Sequence, residues 1–121
     1  MVLLYLYVIK LNFEFKIILY IFTQYKIMIK TIKSKALKLL WEKDDDSKVN
    51  PKHLNRVLNI LVMIDNLVDV PQDLSMHKNL RPHLLKGDLK DYWSLDVSGN
   101  YRIVFKFEDN HAFDLDYIDT H

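Results

Sequence analysis

The feature that most constrains this chain is a change of hydrophobic period toward its C-terminus. Between residues 92 and 117, apolar side chains recur at every second position in three runs. Ser98-Gly99-Asn100 and Glu108-Asp109-Asn110 separate the runs with residues that favour turns, and Gly99 suits a positive φ. Alternation of this kind with short turns is typical of antiparallel strands that bury one face. The sequence therefore predicts a three-stranded meander whose odd-numbered side chains face a core.

The segment after Ser34 is the first of two predicted helices. Ser34 is a good N-cap, and apolar residues follow at helical spacing until the acidic run of residues 44–46. Adjacent carboxylates diverge, and no spaced partner completes a calcium loop, so this run predicts a solvated loop and no metal site. Residues 28–32, before the helix, read as a short first strand.

The second predicted helix has the clearest helical pattern in the chain. Asn50 is a candidate cap, and Pro51 occupies the first helical position, where its missing N–H does no harm. Apolar residues then recur at i, i+3 and i+4 as far as Val68, and Val70-Pro71 is expected to end the helix. His53, near the start, is interpreted as an exposed polar residue and not as a ligand.

These elements together predict an α+β domain. Two N-terminal helices would pack on one face of a small, twisted, mainly antiparallel sheet. Arg102 and Lys106 would lie on the opposite face with Ser94, which makes that face basic.

The first 27 residues differ from the rest of the chain in their density of Leu, Ile, Phe and Tyr. Charged and polar residues divide them into apolar stretches too short for a membrane helix, and neither the basic start nor the cleavage site of a secretory signal is present. Residues 10–17 alternate like a half-buried strand, whereas residues 3–9 and 17–22 fit a strand or a helix equally. Met28 begins a self-sufficient sequence. We therefore predict a hydrophobic extension over residues 1–27, not necessarily part of the native domain, and a functional domain over residues 28–121.

The composition limits the chemistry that this chain can perform. Its 121 residues include no cysteine, which removes disulfides, thiolate nucleophiles and zinc–thiolate sites, and which suits a reducing cytoplasm. The net charge is only +1, yet residues 77–106 hold six Lys or Arg against three Asp. Bulk charge therefore does not predict nucleic-acid binding, whereas a local basic patch remains open.

Five side chains are candidates for chemistry: His83, Lys86, Arg102, Asp119 and His121. RNA cleavage needs a base for the 2′-hydroxyl, an acid for the leaving 5′-oxygen, and cations for the charge that develops on the phosphate. Histidine titrates near neutrality, and lysine and arginine supply fixed charge, so the set fits a metal-free ribonuclease. Spacing alone is a weak signal, because a lone histidine beside a strand is more often a structural or surface group.

Three segments resemble HigB toxins of the RelE/ParE superfamily: MIKTIKSKALKLLWEK, LRPHLLKGDLKDYWSLDVSGNYRIVFKFE and AFDLDYIDTH. Four motifs occur in the expected order within residues 28–121, namely H-x-L-K-G-D, W-S, N-[WY]-R-I-x-F and a final Asp-x-His. The resemblance implies a toxin of a type II toxin–antitoxin system. Such toxins are ribosome-dependent mRNA endonucleases that inhibit translation without a metal or other cofactor. The implied partners are a neutralising helix-turn-helix antitoxin of the HigA type, the ribosome and mRNA, and no stable membrane association is expected.

The resemblance also implies roles for particular residues. His83 and His121 become the candidate acid–base residues, Lys86 and Arg102 would stabilise the transferred phosphate, and Asp119 would position or polarise its partners. Gly87 would let the chain turn directly after the lysine. Further RNA contacts are predicted for Arg81, Lys90 and Lys106.

One position departs from the family pattern. The family typically ends Asp-Tyr-His, whereas this chain has Thr120 between Asp119 and His121. The threonine removes an aromatic surface on which a base would stack, an interaction worth about 1–3 kcal/mol. Two alternatives therefore stay open: a weakened homologue that mainly serves its antitoxin in repressing their shared promoter, and a ParE-like gyrase poison. For an active toxin, substitution of His121 or Arg102 is expected to abolish toxicity and to leave folding intact.

Overall fold

Helices come before strands in this fold. The computed structural model describes residues 14–18, 21 and 28–121. The sheet has the order β1-β2-β3-β4 with antiparallel neighbours, which confirms the predicted α+β class and meander. In chain order the elements are α1 (Lys35–Lys43), α2 (Leu54–Asp65), α3 (Gln72–Ser75), β1 (His83–Leu84), β2 (Trp93–Asp96), β3 (Tyr101–Glu108) and β4 (His111–Asp119), with single 3₁₀ turns at Lys78–Leu80 and Gly87–Leu89.

Helix α1 begins and ends where its sequence indicates. The Ser34 side chain accepts a hydrogen bond from the backbone N–H of Leu37 at 3.2 Å, as expected of an N-cap. At the other end, Asp44 takes a left-handed conformation with φ 54°, and its N–H donates to the carbonyl of Leu39. Leu37 and Leu40 are buried on the inner side of the helix.

Helix α2 is shorter than the pattern predicts. It begins at Leu54 because the Asn50 side chain caps a separate turn, accepting from the N–H of Lys52 at 2.9 Å. It ends at Asp65, well before Val70-Pro71. Val68 therefore lies beyond the helix and is 55% exposed, so its predicted place in the buried stripe is wrong.

The core lies between the helices and the odd-numbered face of the sheet. Leu95 pairs with Ile103, and both side chains are fully buried, as is Phe105 opposite Trp93. Burying each such side chain contributes about 1.5–3 kcal/mol to folding. The predicted odd-numbered apolar face is correct for β2 and β3.

A β-bulge in β4 reverses the predicted alternation. The pairing of β3 with β4 shifts within residues 104–106, and Asp114 has φ 55° at the extra residue on β4. One inserted residue exchanges the two faces of a strand. Ala112 and Leu115 are therefore both fully buried, and Phe113 does not join them on the odd-numbered face.

The segment before α1 pairs with the outer side of β4. Ile29 and Ile32 form isolated parallel bridges to Ala112 and Leu115, in place of the regular strand predicted for residues 28–32. Farther upstream, residues 14–18 are helical, so the strand expected over residues 10–17 is wrong there, since a short alternation does not separate the two structures. The rest of the predicted 1–27 extension lies outside the described residues, and the boundary at Met28 stays a prediction.

The face that the sequence assigns to basic residues is apolar at its centre. Ser94 and Val104 are 2% and 1% exposed, and Tyr92 is buried as well. Charged groups lie toward its two ends, with Arg102 at one and Lys106 at the other. Among the described residues, no helix is long and apolar enough to span a membrane.

Candidate active site

Two groups of side chains lie at the surface at one end of the sheet, where β2 ends, β3 begins and β4 ends. The arginine cluster comprises Arg81, Asp96 and Arg102, and the C-terminal pair comprises Asp119 and His121. Arg102 is opposite Asp96 on the even-numbered face, whereas Asp119 is opposite Tyr101 on the face that carries the helices. The fold therefore brings Arg102, Asp119 and His121 to one end of the sheet but divides them between its two faces. His83 lies on the opposite edge strand, β1, and Lys86 follows that strand.

Arg102 is held by the hairpin that joins β2 to β3. Its Nε lies 2.9 Å from Oδ1 of Asp96. Its Nη1 donates to the carbonyls of Ser98 at 2.6 Å and Tyr101 at 2.9 Å, and its Nη2 donates to that of Gly99 at 3.3 Å. Only 18% of the side chain is exposed. The guanidinium thus fastens the turn, a structural role that the sequence did not indicate.

Asp96 lies between two cations. Its side chain is 14% exposed, and Nη1 of Arg81 approaches Oδ2 at 3.5 Å on the side away from Arg102. The buried Oδ1 accepts no hydrogen bond from the described part of the chain, although Arg102 touches it. Arg56 on α2 ties the same strand end to the helices, since its Nε donates to the Asp96 carbonyl at 3.2 Å. Two cations therefore lie against a carboxylate that is largely buried, and loss of either would leave it less well compensated.

His83 and Lys86 stand at the outer edge of the even-numbered face. His83 is opposite Ser94, and its Nδ1 is 2.8 Å from the Arg81 carbonyl. A carbonyl only accepts, so Nδ1 carries the proton and Nε2 is the exposed, basic nitrogen. Lys86 precedes Gly87, whose φ of +71° confirms the tight turn expected there. Lys86 is exposed, and within the described chain its ammonium makes no hydrogen bond or ion pair.

The C-terminal pair is compact and exposed. Nδ1 of His121 lies 2.6 Å from Oδ1 of Asp119, and the backbone N–H of His121 donates to the same oxygen at 3.0 Å. These contacts hold the pKa of Asp119 below its usual value, so the carboxylate is ionised and accepts the Nδ1 proton. The imidazole is 66% exposed, which leaves Nε2 open to a substrate.

Thr120 anchors this tail to the hairpin. Its backbone N–H and its Oγ1 both bind the carbonyl of Asn100, at 2.7 and 2.8 Å. The turn that Arg102 fastens therefore also holds the segment between Asp119 and His121. The residue that departs from the family pattern has a structural role here.

Three rings, which we name the ring cluster, border the C-terminal pair: His53, Tyr101 and Tyr117. Nδ1 of His53 shares a hydrogen bond with the Tyr117 hydroxyl, and the centroid of Tyr101 lies 5.0 Å from those of both other rings. Burial, followed by the charges of Tyr101 and Asp119, raises the pKa of Tyr117 to about 12. The interpretation of His53 as an exposed residue is wrong, because α2 starts at Leu54 and the preceding histidine turns onto the sheet and is half-buried.

The residues predicted to bind RNA do not form one surface with the site. Arg81 belongs to the arginine cluster, and Lys90 is exposed in the loop before β2. Lys106 lies toward the other end of β3, with its ammonium 5.1 Å from the centroid of Tyr92. Lys33, which the sequence did not single out, donates to the Tyr92 hydroxyl at 3.0 Å, and this bond raises the pKa of the lysine.

Sequence reasoning missed the two residues that connect these groups. Tyr101 was assigned to the apolar face and Asp96 to the polar one, with no function for either. The available signal was the tyrosine, since a hydroxyl at the end of an apolar stripe needs a polar partner. Within residues 14–18, 21 and 28–121, no three His, Asp or Glu side chains come together as a metal site.

Comparisons with known proteins identify relatives of this sequence. A family model described as the RelE-like toxin of the type II toxin–antitoxin system HigB matches residues 30–121. Endoribonuclease HigB of Proteus vulgaris is 39% identical over 94 residues, which cover 78% of this chain and 100% of that protein.

Solved structures with a related fold were also found. The YoeB–YefM complex from Staphylococcus aureus is 22% identical, covering 76% of this chain and 97% of that one, with a TM-score of 0.46. YafQ from E. coli strain BL21(DE3) is 17% identical over 77% of this chain and 92% of that one, with a TM-score of 0.45. The family match spans most of the chain and the curated relative aligns over its whole length, so the chain belongs to the HigB-like family of RelE-like toxins of type II toxin–antitoxin systems.

Proposed function

We propose that this toxin is an endoribonuclease that cleaves mRNA on the ribosome without a metal. The observation that carries the proposal is the C-terminal pair, an exposed imidazole fixed by an ionised carboxylate at 2.6 Å. A 39% identical relative that is itself an endoribonuclease supports it. An imidazole with a fixed orientation and an exposed ring nitrogen can take up and release a proton, as a general acid–base catalyst must.

The chemistry needs two proton transfers, and two exposed histidines are available for them. In both His83 and His121 a partner occupies Nδ1, which leaves Nε2 for the substrate. One ring takes the proton of the ribose 2′-hydroxyl as its oxygen attacks phosphorus. The other gives a proton to the 5′-oxygen as the P–O5′ bond breaks. The products are a 2′,3′-cyclic phosphate and a free 5′-hydroxyl.

The cations have unequal access to the phosphate. Lys86 is exposed and unpaired within the described chain, so its ammonium is the direct candidate for the developing charge. Arg102 is already shared between Asp96 and three carbonyls, so a direct contact requires it to exchange partners. We therefore assign Arg102 a contribution through its charge and through the hairpin, and Arg81, Lys90 and Lys106 weaker contacts along the RNA backbone.

The first experiment is to induce the full chain in bacteria and map new mRNA 5′ ends. Two variants are matched, His121→Ala in the C-terminal pair and His77→Ala outside both the pair and the arginine cluster. We expect growth arrest and cuts inside translated frames for the parent and for His77→Ala, and neither for His121→Ala. A reporter without a start codon should stay intact if cleavage needs the ribosome. Arrest without cuts would indicate another target such as gyrase, and no arrest would favour a homologue that acts only with its antitoxin.

The ends of the products test the metal-free mechanism. Attack by the 2′-hydroxyl leaves a 2′,3′-cyclic phosphate upstream and a 5′-hydroxyl downstream. Metal-activated water that attacks phosphorus and displaces the 3′-oxygen leaves free 2′- and 3′-hydroxyls upstream and a 5′-phosphate downstream. Ligation-based sequencing that requires a 5′-hydroxyl separates the two, and it works in the magnesium that ribosomes need.

Family membership implies an antitoxin, and we propose a helix-turn-helix protein of the HigA type that acts in the cytoplasm. Co-expression of the neighbouring open reading frame should restore growth and co-purify with the toxin. If no neighbour restores growth, the HigA-type partner is wrong.

A further inference from the structure

The ring cluster is placed to control the C-terminal pair. Tyr101 is directly opposite Asp119 across β3 and β4, and Tyr117 is two residues before Asp119 on the same strand. Paired residues, and residues two apart on a strand, point to the same face of a sheet. Two tyrosine rings therefore flank the Asp119 carboxylate on the side of the helices.

We infer that Tyr101 is a positioning residue for the C-terminal pair, with its hydroxyl holding the Asp119 carboxylate and its ring fixed by His53 and Tyr117. The inference rests on the proposed function, in which the pair performs an acid–base step. It adds a residue whose effect reaches the substrate only through Asp119 and His121.

The ring of Tyr101 is held on two sides. Its centroid is 5.0 Å from that of His53, with a 59° angle between the rings, and 5.0 Å from that of Tyr117, with an angle of 38°. The hydrogen bond between His53 and Tyr117 closes the cluster and ties it to the start of α2. A ring packed in this way has little rotational freedom, so its hydroxyl has a defined position.

The cross-strand pairing of Tyr101 with Asp119 places the two side chains side by side on one face of the sheet. After the backbone and side chain of His121, a hydrogen bond from Tyr101 is among the groups that lower the pKa of that carboxylate. His121 is a tail residue after the last strand, and within the described residues its imidazole has a hydrogen bond to Asp119 and to no other side chain. Fixing the carboxylate therefore fixes the Nδ1 proton of His121, and with it the direction of Nε2.

A purely structural role would depend on the ring and not on the hydroxyl. Tyr101→Phe keeps the ring and removes the hydroxyl, so it separates the two roles. We expect kcat for RNA cleavage to fall about tenfold, the loss that one hydrogen bond to a charged group produces. KM should change little, since the hydroxyl does not touch RNA.

The second readout is independent of RNA. NMR titration of the histidine rings in the full chain should show a higher His121 pKa in Tyr101→Phe, because Asp119 then has one donor fewer and attracts the imidazolium more strongly. His77, which makes no contact with the ring cluster among the hydrogen bonds and ring pairs described, should titrate identically in both proteins and serves as the internal reference. Tyr117→Phe removes the hydrogen bond to His53 and keeps the ring at position 117. It should also raise the His121 pKa, but by less.

The outcomes separate this inference from the proposed function. If the wild-type chain cleaves RNA and Tyr101→Phe changes neither kcat nor the His121 titration, Tyr101 does not position the pair. If the wild-type chain cleaves no RNA, the proposed function fails, and the titration still decides whether Tyr101 holds Asp119. If Tyr101→Phe does not fold, Tyr117→Phe decides. An unchanged His121 pKa in that variant overturns the inference, and a raised His121 pKa supports it.

Discussion

The arginine cluster and the C-terminal pair lie at the same end of the sheet but are held in different ways. In the arginine cluster, Arg102 satisfies three backbone carbonyls and a buried carboxylate and is 18% exposed. In the pair, the polar contacts of His121 within the described chain go to Asp119, two residues before it, and its side chain is 66% exposed. The first group uses its charge to stabilise the fold, and the second keeps its reactive atom for a partner. The family motifs include residues of both groups, and the contacts of each group show which role it has.

The largest expected effect comes from the C-terminal pair, the more exposed of the two groups. His121→Ala should lower the rate of RNA cleavage by about 10²–10⁴-fold, the usual contribution of a general acid or base. The melting temperature should stay within about 2 °C of the parent value, since a surface substitution usually costs less than about 0.5 kcal/mol. Cleavage assays and thermal denaturation on the same preparations check this. If His121→Ala lost as much stability as is expected on substitution of Arg102, the C-terminal pair would stabilise the fold as the arginine cluster does, which would contradict the comparison.

Substitution of Arg102 should affect stability first. Arg102→Ala leaves the Asp96 carboxylate with Arg81, whose Nη1 is 3.5 Å away, and it removes the hydrogen bonds of the guanidinium to three hairpin carbonyls. Loss of one partner of a largely buried ion pair and its hydrogen bonds costs roughly 2–3 kcal/mol here, somewhat less than for a fully buried pair. The sequence-based expectation that folding stays intact therefore needs revision. Urea denaturation measures the difference.

A double variant sharpens this test. Asp96→Asn with Arg102→Ala should recover part of the lost stability, because the uncompensated buried charge is gone. Strictly additive losses would show that Arg102 stabilises the turn through its carbonyl contacts alone.

The order of elements and one face of the sheet could be predicted from the sequence, because both follow from local periodicity. Leu95, Ile103 and Phe105 alternate as a half-buried strand must, and they are buried. The bulge at Asp114 could not be predicted, since one inserted residue leaves no mark in composition yet exchanges the faces of β4.

The residues of the candidate site could be named from the sequence, but their contacts could not. The resemblance names His83, Lys86, Arg102, Asp119 and His121, and their roles remain proposals. The pairing of Arg102 with Asp96 depends on strand register, and the contact of His53 with Tyr117 joins residues 64 positions apart. Such contacts are fixed by tertiary packing, which local patterns do not contain.

The two glycines extend the comparison to backbone strain. Gly87 has φ +71°, a conformation that costs a residue with a side chain about 1–2 kcal/mol. At Gly99 the φ is not in that region and a Cβ would meet nothing within 4 Å, so the expected positive φ is absent there. Gly87→Ala should therefore lower stability by about 1 kcal/mol and displace Lys86, whereas Gly99→Ala should be nearly neutral. Equal effects in urea denaturation would contradict this assignment.

The smallest expected effect tests whether the ring cluster belongs to the folded framework under the pair. Tyr117 has a pKa of about 12 in the fold against an ordinary value of 10.0, because burial disfavours its charged form. A group whose pKa is raised on folding contributes fully below the unfolded value and loses its contribution as pH rises through the folded one. Stability should thus fall between pH 10 and about pH 12, and it should fall less in Tyr117→Phe. Urea midpoints of the parent and of Tyr117→Phe are measured at pH 9.5, 11 and about 12. Both proteins have the same lysines, so subtracting one midpoint from the other at each pH removes the lysine contribution. Parallel curves would mean that Tyr117 ionises as freely in the fold as in the unfolded chain, and that the ring cluster opens to solvent beside Asp119.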